Sequence, residues 1–510
     1  MIKETSKKRL TAIMAAVIFV AHSFLVCPTA RASGREIPIP DYQFRPIRPT
    51  RAVTIREAVA IALRNFPSIA DRKYKVRAAM ANVSLALTQY LPNLNMDIQE
   101  SAVTSNRVAS VVMNNVSGFD TVPVDSGPPA THSSMKPLAN NLQGLNLNWL
   151  LVDFGLRHAN DDFARADARA ARADYRLTKL DVAFDAADAY LQVVAAKQVI
   201  RSAQASLDRM EAADLIARTL VSKGLRPGVD AASLEFDVSK AKISVIKADK
   251  EIKLSLVELA ERMGIANADI DVISEPLVTA PTQTSESAFG PFNLTAHPLT
   301  LLKTAEVERW KEKVHVLDVA YRPHLWMNSS IWGKGSGEQQ NVNPIQSVAG
   351  GALPQVFNYM VGLSFTLPIM EYFPLKYEKK IAINNELSAK ANLDLAMQIL
   401  EKKDARARIL LAEAKRVAAE TPVMVQAAKV KEIKTVKRYR TGLTDMAAVA
   451  ESEKVLAEAE VEDSLAQIEL WRSVLALAYV QGDLGPFLNL VAIAEGSQPE
   501  VYSPSPKGRR

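Results

Sequence analysis

Apolar positions along this chain follow two alternating rules. Between Gly155 and Gly224 they recur at three- and four-residue steps. Leu177, Leu180, Phe184, Ala187, Leu191 and Val194 form one row, and Val193, Ala196, Ile200, Ala203, Leu207 and Met210 form a second in a shifted register. Neither glycine nor proline occurs from Leu156 to Lys223. The spacing therefore predicts one continuous helix, about 100 Å long at 1.5 Å per residue. One apolar row suits a simple coiled coil, whereas two rows suit a helix packed between two neighbours. The chain turns at Gly224-Leu225-Arg226-Pro227-Gly228 and returns from Asp230 to Met263. On that return Ala231, Leu234, Val238, Ala241, Val245, Ala248, Ile252, Ser255 and Leu259 keep the heptad spacing. A second long helix is read from Leu375 to Thr441, with a turn at Gly442 and a return from Asp445 to about Gln481. Pro422 lies inside it and is expected to kink it, at about 3 kcal/mol unless neighbours compensate.

Elsewhere the period is two. Leu94, Met96 and Ile98 alternate with Asn95, Asp97 and Gln99, and Leu145, Leu147 and Trp149 alternate with Asn146 and Asn148. A loop containing Gly118, Gly127, Pro128 and Pro129 separates them, so the pair predicts a long-looped β-hairpin. Two further strands are predicted at Leu325–Trp332 and Phe357–Leu367. In the latter Phe357, Tyr359, Val361, Leu363, Phe365 and Leu367 alternate with Asn358, Met360, Gly362, Ser364 and Thr366. A helix precedes each hairpin. The first opens on the capping box Thr54-Ile55-Arg56-Glu57, is interrupted at Pro67 and stops at Pro92. The second is interrupted near His297-Pro298 and stops at Pro323.

The order helix, hairpin, long helix, return helix thus occurs twice. Tyr90-Leu91-Pro92-Asn93-Leu94 corresponds to Tyr321-Arg322-Pro323-His324-Leu325, and Gly224-Leu225 to Gly442-Leu443. The chain is read as an internal duplication. Residues 1–32 are a signal peptide, 33–53 an N-terminal extension and 54–263 the first repeat. A linker covers 264–292, the second repeat 293–482 and a C-terminal tail 483–510.

Four strands per chain, apolar on one face, need cover for that face. The helices are too long and too committed to each other to supply it. Lipid is the alternative, and it requires a closed barrel so that no backbone group stays unpaired. Four strands are too few for one, so closure needs several copies: two would give eight strands, three twelve and four sixteen. The two-rowed helices fit a second, helical barrel continuing the first, and the Asn, Ser and Thr of the other strand face suit a water-filled lumen. Loops 112–141 and 337–356 are expected outside the cell.

Composition refines this picture. Lys3, Lys7, Lys8 and Arg9 precede an apolar run from Leu10 to Val26, and Ala30-Arg31-Ala32 supplies a small-x-small cleavage site. No other window approaches 18 apolar residues, so no inner-membrane helix is expected in the mature chain. The one cysteine, Cys27, follows Val26 where a lipid-anchor site wants a small residue; cleavage after Ala32 removes it, leaving no disulfide or Cys-based metal site. Loss of residues 1–32 leaves 57 basic against 55 acidic residues, so the pI near 9 of the full chain argues only weakly for nucleic acid. No His-Glu-x-x-His, Gly-x-x-x-x-Gly-Lys or Gly-x-Ser-x-Gly motif occurs. The six histidines are scattered and are read as solvated surface residues. No catalytic, metal or cofactor site is expected.

Several of these stretches resemble the TolC-like outer-membrane efflux proteins, from Thr54 to Gly482. The opening Thr54-Ile55-Arg56-Glu57-Ala58-Val59 with Asn65-Phe66-Pro67 is similar to the family's start, and Leu150-Leu151-Val152-Asp153-Phe154-Gly155 to its strand-to-helix joint. Lys223-Gly224-Leu225 with Asp230, and Tyr439-Arg440-Thr441-Gly442-Leu443, resemble its two helical tips. The resemblance implies an α+β membrane protein. Its homotrimer would form a twelve-stranded transmembrane barrel in the outer membrane, continued by a long α-helical barrel in the periplasm. It also implies an exit duct that serves an inner-membrane transporter through a periplasmic adaptor protein. Two places depart from the pattern. Met370-Glu371-Tyr372-Phe373-Pro374 stands where the family often carries glycines, and Thr444, Ala448 and Glu451 stand where better-known members place one basic and two acidic residues.

The candidate functional residues cluster at the tips: Gly224, Asp230, Tyr439, Gly442 and Glu451. Asp230 reads either as the N-cap of the return helix or as a hydrogen-bond partner that holds the tunnel shut. Tyr439 reads as a packing residue or as a partner across helices, and Glu451 as one member of an acidic ring. The competing function class is a secreted coiled-coil structural or adhesin-like protein without a channel. The alternating strands argue against it, since a stalk needs no lipid-facing sheet.

Overall fold

The computed structural model describes residues 44, 46–49, 51–105, 134–224, 228–265, 269–278, 292–337 and 351–496. In chain order its elements are α1 (Ile55–Asn65), α2 (Pro67–Thr88), β1 (Asn93–Ser105), β2 (Ser134–Val152), α3 (Leu156–Ser222), α4 (Gly228–Arg262), α5 (Pro298–Val319), β3 (His324–Ser336), β4 (Val356–Thr366), α6 (Tyr372–Arg440), α7 (Met446–Val480) and α8 (Gly485–Ala494). Short 3-10 turns lie at Glu275–Leu277 and Leu294–Ala296. The chain divides into two compact units. One holds 82–164 and 312–382, the other 43–81, 165–311 and 383–510.

The first unit is built on a four-stranded antiparallel sheet in the order β1-β2-β3-β4. Its register sorts the side chains by face. Met96 pairs with Leu145, Leu145 with Ile331, and Ile331 with Tyr359, so one face carries an apolar residue from every strand. Among the described residues nothing covers that face. Leu94, Met96, Leu145, Ile331 and the β4 row Phe357, Tyr359, Val361, Leu363 and Phe365 are all exposed, Tyr359 by 82%. The other face is polar and cross-linked. Ser330 Oγ donates to Asn146 Oδ1 at 2.7 Å, Asn146 donates to Asp97, and Asn328 Nδ2 donates to Ser364 Oγ at 2.9 Å. β2 reaches back to Ser134, into the segment expected to be loop, while the remainder of loop 112–141 and residues 338–350 lie outside the described residues.

The first strand-to-helix joint is held by Asp153 and Arg157. Phe154 and Gly155 both take positive φ, 51° and 108°, which turns the chain sharply from β2 into α3. Asp153 accepts from the backbone N–H of Gly155 at 3.1 Å and of Arg157 at 2.7 Å, so it caps α3. The Arg157 guanidinium donates to Asp153 and to the carbonyls of Leu150 and Leu151, and lies 4.6 Å from the Tyr90 ring centre. Ends of β2 that would otherwise stay unpaired are thereby satisfied. Below the joint Ala159, Val316 and Val319 pack together, joining α3 to α5.

The second unit has its core where α1, the middle of α3 and the ends of α4 and α7 meet. Trp471 is fully buried and meets Phe487 edge-on at 6.2 Å. The capping box forms as expected: Glu57 N–H donates to Thr54 Oγ1 at 3.3 Å and Thr54 N–H to Glu57 Oε2 at 3.1 Å. Val53 pairs with Val272, and Tyr190 Oη donates to the carbonyls of Val53 and Ile273 at 3.0 and 2.6 Å. Part of the extension and part of the linker are thus tied to α3. The C-terminal stretch 483–510, expected to be a tail, supplies α8, and Phe487, Leu488 and Val491 lie in the core. Its apolar residues recur at helical spacing after the helix-starting Gly485-Pro486.

One further expectation is corrected in this unit, and at Pro422 the compensation by a neighbour is found. His297 is buried (1% exposed), not solvated. Its Nδ1 accepts from Leu299 N–H at 3.1 Å, and its Nε2 lies 3.3 Å from the Tyr479 carbonyl, which fixes a neutral ring with the proton on Nε2. Burial holds its pKa below 6.5, Lys403 acts in the same direction, and the Tyr479 carbonyl and Asp181 act against them. Pro422 leaves α6 a continuous helix. Proline has no N–H for the Ala418 carbonyl one turn back, and the Gln467 amide of α7 donates there instead at 3.3 Å.

Candidate functional site

The two helical hairpins of the second unit end in short turns. Gly224 and Gly442 both adopt the left-handed region, with φ of 70° and 80°, and both are exposed. Each stands where a helix must end and reverse, the position at which a left-handed residue closes off the last turn. The second return helix is capped by Asp445, whose Oδ1 accepts from Ala448 N–H at 3.0 Å. The first return helix begins at Gly228, which places Asp230 inside its first turn rather than at the N-cap. The Asp230 side chain lies outside the described residues.

Tyr439 is buried, 3% exposed, in a small apolar cluster with Ala217, Leu234, Met446 and Val449. Those residues come from α3, α4, α6 and α7, so the cluster joins the two hairpins. Glu451 is exposed on α7, about two turns from Gly442. Of the five expected residues, the structure puts Tyr439 at the hairpin junction, the glycines at the turns and Glu451 on an open face.

Sequence reading missed the polar link beside that cluster. Arg209 of α3 reaches across to α7, where its Nε donates to Glu453 at 2.8 Å and its Nη2 to Glu460 at 3.0 Å. Glu453 is 2% exposed. Burial pushes its carboxyl above the ordinary glutamate value, Arg209 pulls it down, and Glu432 of α6 pushes it up again. Glu453 and Glu460 lie one heptad apart, so both face the same neighbour. Their partner is 244 residues from Glu453 and 251 from Glu460 in sequence, and nothing local reveals it. A cavity of about 160 Å³ sits at this junction, lined by Arg209, Ile216, Glu432, Tyr439 and Glu453 among others. Among the described residues no group of His, Cys, Asp and Glu is placed to hold a metal ion.

Residues 58–264 match the family model for outer membrane efflux proteins. Among curated proteins, CyaE of Bordetella pertussis is 22% identical over 229 residues, 45% of this chain. The match spans 42% of that relative's length. The fold is that of several solved outer-membrane channels. The Campylobacter jejuni CmeC outer membrane channel superposes with a TM-score of 0.65 at 15% identity, covering 84% of this chain and 85% of that one. The Vibrio cholerae outer membrane protein VceC gives 0.64 at 15% identity over 84% and 96%. The open state of the Neisseria gonorrhoeae MtrE outer membrane channel gives 0.64 at 16% identity over 84% and 89%.

Proposed function

We propose that this chain, which resembles TolC-like outer-membrane efflux proteins, is the outer-membrane exit duct of a tripartite efflux or type I secretion system. Substrates delivered by an inner-membrane transporter through a periplasmic adaptor protein pass along it by diffusion, without chemistry. The observation that carries this reading is the sheet: four antiparallel strands with an exposed apolar face, a cross-linked polar face and two outer strands, β1 and β4, each paired on one side only among the described residues. Unpaired edges are untenable in lipid. Pairing β4 of one copy with β1 of the next closes a barrel, and three copies give twelve strands.

The repeated element order supports an internal duplication of residues 54–263 and 293–482, linked by 264–292 and preceded by a signal peptide (1–32) and extension (33–53). In the homotrimer six hairpin turns at Gly224 and Gly442 form one ring, the narrow end of a periplasmic helical barrel. Asp230 and Tyr439 hold that end closed, and Glu451 from three chains forms an acidic ring that favours cations. The test is single-channel conductance in planar bilayers. Asp230→Ala with Tyr439→Phe raises conductance and lengthens open times, and Glu451→Gln lowers cation selectivity while leaving oligomer stability unchanged. A double variant that conducts like wild type but dissociates more readily would make these residues structural and place the gate elsewhere.

A further inference from the structure

The polar face of the sheet carries a tryptophan that no lipid contact calls for. Asn146 pairs with Ser330, Asn148 with Asn328 and Leu150 with Trp326. Ser330 bonds Asn146 on the polar face, so the alternation of side chains puts Asn148, Leu150, Asn328 and Trp326 there too. Trp332 shares that face and is buried, a packing residue. Trp326 is only half-buried, which leaves part of its ring open.

A cavity of about 720 Å³ lies at this place, within the roughly 300–1,000 Å³ of small-molecule sites. Leu150 and Trp326 give it an apolar floor. The next rung of the sheet is Asn93, Asn148 and Asn328, three amides across β1, β2 and β3 at about 4.8 Å spacing. Gln89 and Asn160 line the side toward the helices and touch each other at 3.5 Å. Asn328 Nδ2 serves Ser364, whereas the side-chain amides of Asn93 and Asn148 have no hydrogen-bond partner among the described residues. Beside the indole the β4 residues are small. Ser364 stands opposite Trp326 and Gly362 opposite Asn328, and a Cβ added at Gly362 would meet nothing within 4 Å.

Charge narrows the ligand. Among the described residues no carboxylate lines the cavity. Its charged group, Arg157, is taken up by Asp153 and by the carbonyls of Leu150 and Leu151. An ion would therefore find no counter-charge to replace its water. A flat aromatic solute would stack on the indole but leave the surrounding amides without partners. A hydroxylated ring satisfies both parts. Its C–H face lies on the indole, and each hydroxyl donates and accepts, as each amide does.

We infer that this cavity binds a neutral saccharide ring, stacked on Trp326 and held by the rung Asn93, Asn148 and Asn328. The inference rests on the barrel reading for its place in the molecule. With the polar face turned inward, the cavity lies on the wall of the duct beside the Asp153 joint, and sugars or glycosylated solutes are the class of cargo it favours. Binding there is weak, since a conducting path must release what it holds.

The probe is maltotriose, with polyethylene glycol of equal mass as the size control and 2-naphthol as the aromatic one. The oligomer is purified in lauryldimethylamine oxide, which carries no sugar. Binding is read by titration calorimetry in that detergent and by block of single-channel current in planar bilayers. Wild type should bind maltotriose saturably, with half-block in the millimolar range, and polyethylene glycol should not reproduce it. Trp326→Ala should weaken binding about tenfold, the loss of one stacking ring, and Trp326→Phe should keep most of it. Asn148→Leu should weaken it several-fold, with sugar-free conductance and oligomer dissociation temperature unchanged. Equal block by polyethylene glycol, or an affinity untouched by both Trp326→Ala and Asn148→Leu, overturns the inference. Tighter binding of 2-naphthol overturns the saccharide assignment. A wild type that conducts yet shows neither heat nor block sinks this inference alone. Heat of binding without block in a conducting protein upholds the saccharide site and contradicts its place on the duct wall, and a chain that never conducts while still binding the sugar contradicts the barrel reading alone.

Discussion

Arg209→Met should loosen the junction between the two helical hairpins more than any neutralisation of its partners. The side chain bonds Glu453 and Glu460 together, and Glu453 is almost wholly buried. Removing one partner of a buried pair costs about 3–5 kcal/mol, because the other charge is left without compensation. Two facts reduce that figure. The Arg209 side chain is about a quarter exposed, and the Glu453 carboxyl, already raised by burial, can take up a proton when its partner goes. About 2 kcal/mol is the expected cost, roughly a 30-fold rise in local opening. Glu453→Gln removes the charge that needs Arg209 and should cost less than half as much. The double variant should lie nearer to wild type than Arg209→Met does, since it leaves no buried charge unpaired. Hydrogen exchange of amides at 209–217 and 446–460 reads this directly. If Arg209→Met and the double variant exchange alike, the bond is a surface pair of no weight and the hairpins are held by the Tyr439 cluster alone.

Gln467→Leu should destabilise the second unit by about 1–2 kcal/mol by stranding the Ala418 carbonyl, and Pro422→Ala should rescue it by restoring the helical donor; local exchange around 418–422 distinguishes rescue from its absence. For His297, the folded pKa lies below 6.5 because of burial. As pH falls below about 6.5 the unfolded chain takes up a proton that the folded chain does not, so stability falls until the folded value is reached, and above 6.5 the effect vanishes. His297→Asn keeps a capping acceptor without the titration. It should flatten the fall in unfolding temperature between pH 7.5 and 5.5, and an unchanged slope would exonerate His297. Phe487→Ala should cost about 3–5 kcal/mol and expose the C-terminal helix to limited proteolysis. Cleavage at the wild-type rate would mean that α8 does not hold the core.

Much of the architecture is legible in the spacing of apolar residues. The long helix expected at 156–223 is found at Leu156–Ser222, and the second, expected from Leu375, begins three residues earlier at Tyr372. Long periodic runs bounded by Gly224 and Gly442 leave little choice of boundary. The strands were legible where they alternate beside asparagines. β2 is expected from the alternation that begins at Leu145, after a loop marked by Gly118, Gly127, Pro128 and Pro129, whereas in the structure Asn140, Asn141 and Gly144 already lie in the ladder between β1 and β3. Burial was harder to read. His297 carries no local signal of it, since Tyr479 reaches it only in the folded unit. The same holds for Arg209 with Glu453 and for Gln467 with Ala418. Each joins helices distant in sequence, and the partner's identity is set by packing. α8 is the miss that the sequence could have prevented: Phe487, Leu488, Leu490 and Val491 recur at helical spacing, and Gly485-Pro486 marks a start.

The measurement that tests the account most directly is the native mass of the protein extracted from outer membranes in mild detergent, taken together with its β content. Closure of four strands per chain into a twelve-stranded barrel predicts three copies, dissociating to single chains only on heating. Two or four copies would mean eight or sixteen strands and would contradict the trimer. A stable single chain with its full β content would contradict the barrel itself, because an open sheet edge cannot persist in lipid.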